Sequence, residues 1–169
     1  MNRLGIKLLL TLPIVALLVW PFYDLRVQGG VFHDLQVLGP VGFALTALGF
    51  FALVYFYCRD LSRVVQLVSP AARAATPRSI WLMLLLPLNF VEDFFIIVHV
   101  SQSLLAESQH NPRLAQLPSV GLHAGLAWCS LQILSLLPHW TGSLFGLIAL
   151  PFWIHHWRVI RRALHSLQP

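Results

Sequence analysis

The segment Asn89-Phe90-Val91-Glu92-Asp93 sits inside an otherwise apolar run from Ile80 to Val100, and its placement decides the fold. Two adjacent carboxylates are costly in hydrocarbon, at about 2.5–3.5 kcal/mol each on insertion scales. Either the run does not cross a bilayer, or it lines a polar interior.

Composition makes the membrane the relevant solvent. Of 169 residues, 57% are hydrophobic and 10% charged, with a mean hydropathy of +0.74. Soluble domains carry about 25% charged residues, so this chain has too little polar side chain to clothe a water-facing surface. Its size suits a single helical membrane domain, residues 1–169. The net charge of +5 comes from eleven basic residues against six acidic ones. They lie in short flanks between apolar segments, which fits contact with lipid headgroups and excludes a nucleic-acid groove. Cys58 and Cys129 are too far apart in sequence for a CxxC pair and read as buried thiols.

Four segments are long enough to span, at about 4–23, 39–58, 119–138 and 141–160, since a crossing needs roughly 20 apolar residues. The first begins like a signal peptide, with Arg3 and Lys7 before Leu8–Trp20. It then continues into Trp20-Pro21-Phe22-Tyr23 with no small-residue cleavage site, so a retained span is expected. A fifth segment, about 79–105, is broken by Pro87 and by the polar residues after it.

Basic residues arbitrate. If all five segments cross, Arg3, Lys7, Arg59, Arg63, Arg73 and Arg78 face Arg26, Arg113, Arg158, Arg161 and Arg162, which is no bias. If segment 79–105 enters and returns, every basic residue except Arg26 falls on one side. The positive-inside rule prefers the second arrangement. The expectation is therefore an all-α integral membrane bundle with four spans and one re-entrant or interfacial amphipathic segment. Both termini are then cytoplasmic. Gly29-Gly30 marks an outer turn, Asn111-Pro112 breaks an inner loop, and Pro138-His139 closes a hairpin. Arginine-for-lysine bias and small size point to a bacterial inner membrane.

On a helix, Asn89, Glu92, Asp93, His99, Ser103, Glu107 and His110 fall within about 120° of arc, opposite Phe94, Phe95, Ile97 and Val98. The stripe is either a proton or cation relay or a polar face shown to cytoplasm or a partner. Glu107 and His110 have ExxH spacing, but di-iron bundles need two copies and further glutamates, so no metal is expected. The histidines raise a haem- or quinone-linked subunit as a third possibility. The most central candidates are poor, however, and His155-His156-Trp157-Arg158 reads as an interfacial belt. No cofactor motif, nucleophile elbow, P-loop or HExxH is present, so no enzyme is expected. Gly121 and Gly125, then Gly142 and Gly146, form GxxxG pairs on consecutive spans, where small residues let backbones approach. They predict that the closing hairpin packs on itself or on another subunit.

Trp81-Leu-Met-Leu-Leu-Leu-Pro87-Leu-Asn89, the following helix with Ser103 and Glu107, and the ending Trp153, Trp157, Arg158, Arg161 and Arg162 resemble a group of small bacterial polytopic inner-membrane proteins of unknown function. Those carry a Trp-led Pro-x-Asn motif. The resemblance covers the C-terminal half and implies no activity, and the pair Glu92-Asp93 departs from it.

The functional expectation is a non-catalytic accessory or assembly subunit. Its partners are the lipid bilayer and another membrane protein or a second copy, met through the glycine-lined hairpin and the polar segment. The alternative is a small oligomeric proton- or ion-coupled transporter using Glu92, Asp93 and His99.

Overall fold

The computed structural model describes residues 3–23 and 31–168. Every regular element among them is helical: α1 (Arg3–Tyr23), α2 (Val31–Val37), α3 (Gly39–Leu67), 3-10 turns at Pro70–Ala72 and Ser79–Leu84, α4 (Asn89–Ser108), α5 (Pro112–Ala115), α6 (Leu122–Leu134) and α7 (Trp140–Leu167). The all-α class is as expected. The expected turn at Gly29-Gly30 lies outside the described residues.

Among the described helices, α3 alone is long and apolar enough to cross a membrane, and the apolar stretches Gly5–Trp20 and Leu122–Leu134 are shorter. Segment 119–138, expected as one continuous span, forms a shorter helix, Leu122–Leu134. Its helix has 13 residues, about 20 Å at 1.5 Å per residue, against roughly 30 Å of hydrocarbon. Gly121 sets its start with φ +83, a conformation that favours glycine. Tight turns at Leu136 and Leu137 follow Ser135, and the chain reverses at His139, whose N–H donates to the Leu137 carbonyl.

α6 and α7 form an antiparallel hairpin, with Gly121 against Val159, Trp128 against Trp153 and Ser135 against Gly146. α3 and α7 run parallel. Phe50 meets Trp153, Tyr57 meets His156, and Asp60 meets Trp157 and then Arg161 along the two helices. The shared core lies in the C-terminal half of α3, in α4, and in the facing parts of α6 and α7.

Segment 69–107 is an excursion that returns to its starting level. The Ser69 N–H and hydroxyl both donate to the Glu107 carboxylate at 2.9 and 2.6 Å, and the Ala74 N–H donates to Ser103 Oγ at 2.9 Å. From there the chain descends beside α3: Ser62 Oγ donates to the Pro77 carbonyl at 3.3 Å, and Trp81 packs on the Tyr55 ring. Leu85–Leu88 turns, and α4 climbs back. The break expected at Pro87 is where the 3-10 run gives way to α4.

Charge and apolar exposure separate along the helices. Arg59, Arg63, Arg73, Arg78, Arg113, Arg158, Arg161 and Arg162 gather at the end holding the C-termini of α3, α4 and α7. Most of the exposed large apolar side chains lie beyond it, on α1 from Ile6 to Trp20, α3 from Val41 to Phe56 and α7 from Leu144 to Ile154, with Leu67 and Leu105 exposed at the arginine end itself. Contiguous apolar surface beyond a few hundred Å² is rare on water-soluble monomers and marks an interaction surface.

Glu107 ties this end together. The two Ser69 hydrogen bonds hold its carboxyl below the ordinary carboxylate range, so its contribution is complete above that range and fades as pH falls through the lowered value. The protection of the Ser69 amide, its exchange rate relative to the intrinsic rate at each pH, should therefore fall on acidification in the native protein, and Glu107→Gln should flatten that pH dependence.

Candidate functional site

The polar groups of this chain converge where α3, α4, α6 and α7 meet. Tyr57 and Cys58 come from α3, Asn89 and Asp93 from α4, Cys129 from α6 and His156 from α7, and all six are buried. The Tyr57 hydroxyl and His156 Nδ1 are 2.9 Å apart, while His156 Nε2 has no hydrogen-bond partner among the described residues. Tyr57 presents ring edges to Trp128, Trp153, His156 and Trp157, with Trp128–Trp153 and Trp153–Trp157 stacked at 6.0 and 5.7 Å. One turn on, Trp157 Nε1 donates to Asp60 Oδ2 at 2.9 Å, and Arg161 approaches the same oxygen at 4.0 Å. These contacts fix the rotation of α7 against α3.

Asp93 is the outlier. It is 2% exposed, one carboxylate oxygen lacks any partner among the described residues, and the Asn89 amide oxygen is likewise orphaned. A buried carboxylate with a free lone pair is expensive unless it holds a proton or a donor. The arrangement therefore suits binding and release of a proton, or a hydrogen bond to a small donor.

The polar stripe of α4 does not act as one surface. Asn89, Asp93 and Ser103 point into the bundle; Glu92 turns to α1, where Lys7 Nζ donates to both its oxygens at 2.7 Å; His99 packs beside Phe95. The helix is covered on both sides: α1 packs beside Phe95 and α6 against Ile97, which is fully buried. The interfacial belt reading of His155–Arg158 is also corrected. His155 and Arg158 are exposed, but His156 is buried against Tyr57 and Trp157 is bound to Asp60.

The glycines have separate tasks. A Cβ at Gly125 would lie 2.5 Å from Ile97 Cγ2 and 2.9 Å from His156 Cδ2, and one at Gly121 would lie 3.0 Å from His156 Cδ2. This GxxxG thus seats an imidazole between α4, α6 and α7 of the same chain. Gly146 makes an ordinary contact with Ser135, and Gly142 is buried in the first turn of α7. Among the described residues, no three His, Cys, Asp or Glu side chains group closely enough for a metal. Sequence reasoning missed Tyr57, Asp60 and Trp153. Asp60 had a visible signal, as a carboxylate next to Arg59 in a helix otherwise without acids.

Comparison of the chain with protein-family models, with curated proteins and with solved structures finds no match.

A methyl group separates a filled glycine site from an open one. Gly125→Ala should cost about 1–3 kcal/mol by overpacking, whereas Gly49→Ala, with nothing within 4 Å, should be neutral or slightly stabilising. Paired thermal melts in detergent check both.

Proposed function

We propose that this chain is an integral protein of a bacterial inner membrane and acts as a non-catalytic accessory or assembly subunit. In this reading α1, α3, the α6 hairpin arm and α7 cross the bilayer, and the 69–107 excursion is re-entrant. The arginine end faces the cytoplasm, in keeping with the positive-inside rule. The shortness of α6 is accommodated by the apolar turn residues Leu136 and Leu137 that extend it.

The observation that carries the subunit role is the first half of α3. It belongs to the one described helix that is long and apolar enough to cross a membrane, yet no residue from Val41 to Leu53 is buried. Gly42, Thr46 and Gly49 give it a stripe of small residues, and the missing Cβ of Gly49 opens onto free space. In lipid, such a surface gains by packing against another helix. The glycine hairpin, by contrast, is occupied within the chain, and Glu92, Ser103 and Glu107 are partnered internally. The docking face accordingly moves from the hairpin to α3, and the partner is a transmembrane helix of another protein.

Gly49→Leu tests this without harming the fold, which Gly125→Leu would not allow. Extraction in mild detergent should give a stoichiometric partner with the native chain and lose it with Gly49→Leu. A lone native particle, or a partner indifferent to the substitution, would sink the proposal.

One observation favours a second reading, a proton-coupled carrier, and it is the orphaned oxygen of buried Asp93. Intramembrane carboxylates are functional by default. In proteoliposomes loaded with a pH dye, Asp93→Asn should then abolish proton flux while the melting temperature holds. Equal flux from both proteins, or none from the native chain, would remove the carrier.

A further inference from the structure

A groove of about 530 Å³ runs along the outside of the α6–α7 hairpin, lined by Ser119, His123, Ala124, Ala127, Pro151, Phe152 and His155. It is graded in the same sense on both helices. Ser119, just before α6, and His123 in its first turn lie toward the arginine end, while Ala124 and Ala127 continue into the apolar band. On α7, which runs the other way, His155 lies toward the arginine end, and Phe152 and Pro151 toward the band. The two polar rims meet at one level, because Gly121 and Gly125 both pack against His156.

Beyond His155 the same face of α7 carries Arg158 and Arg162, at i+3 and i+7. Both are exposed, and neither guanidinium has a hydrogen-bond or ion-pair partner among the described residues. Arg161, on another face, is the one that turns to Asp60. An apolar trough bordered by exposed Leu147, Ile148 and Phe152 therefore leads to imidazole and hydroxyl donors, and then to two free cations.

From this gradient we infer that the groove is a binding site for an anionic phospholipid. An acyl chain lies along Ala124, Ala127, Pro151 and Phe152. The phosphate is held by the His123 and His155 ring N–H groups and Ser119, and the headgroup charge meets Arg158 and Arg162. The charge complementarity selects an anionic lipid over a zwitterionic one, and the apolar trough selects a lipid over a free anion. The inference rests on the membrane reading above and is independent of whether α3 docks a partner.

The test is native mass spectrometry of the detergent-solubilised full chain, with added phosphatidylglycerol or phosphatidylcholine of matched acyl chains. Phosphatidylglycerol should be retained preferentially, and Arg158→Gln and Arg162→Gln should each weaken retention about fivefold, as expected for one cation near an anionic headgroup. Ala127→Trp, which fills the trough from an open position, should reduce retention with the helical circular dichroism unchanged. Equal retention of the two lipids overturns the proposal, as does retention indifferent to all three substitutions. Displacement of phosphatidylglycerol by inorganic phosphate alone also overturns it, in favour of a free-anion site. A chain that partitions into the aqueous phase without detergent refutes the membrane reading itself, which separates that failure from failure of the groove.

Discussion

The contact on which the bundle depends is the seat that Gly125 makes for His156. With no side chain on α6 at that point, the imidazole of α7 and Ile97 of α4 close on the same stretch of backbone. The imidazole is thereby held where its Nδ1 meets the Tyr57 hydroxyl of α3. Four helices thus share one point, and the rotation of each about its axis is set there. The indole stack and the Trp157–Asp60 bond follow from that rotation, since Trp153 lies one turn before His156 on α7 and Trp157 is the next residue after it.

Around this point the remaining polar side chains join pieces of chain far apart in sequence. Lys7 reaches Glu92, Ser69 reaches Glu107 and Asp60 reaches Trp157. Each of these ties answers the same demand. Where water is scarce, a polar group left alone costs more than the ordering of a partner. Asn89, Asp93, Ser101 and Gln132 each keep a buried oxygen without a partner among the described residues, and Asp93 is the carboxylate among them.

Much of the chain's course was legible in its residues. Pro87 divides the third segment, Asn111 caps α5 by accepting from the Arg113 and Leu114 N–H groups, and Pro138-His139 closes the hairpin. These are local effects, in which one residue constrains its own backbone. The direction in which the α4 stripe points was not legible. Periodicity shows that polar residues share a face, but only the other helices decide whether that face looks in or out. The length of α6 was hidden for a related reason: Val120 before it and Leu136-Leu137 after it are as apolar as the helix, so composition marks no sharp end. Tyr57 and Trp153 passed as ordinary membrane aromatics because their roles arise from neighbours about 100 residues away.

The six tryptophans fall into two optical populations. Trp128, Trp153 and Trp157 form a continuous stack against Tyr57 in the core, while Trp20, Trp81 and Trp140 are exposed. Indoles at 5.7 and 6.0 Å with near-parallel planes couple electronically. The near-ultraviolet dichroism of this protein is therefore a property of the α3–α6–α7 junction. The bundle carries its own gauge of whether those three helices are seated, with no label attached.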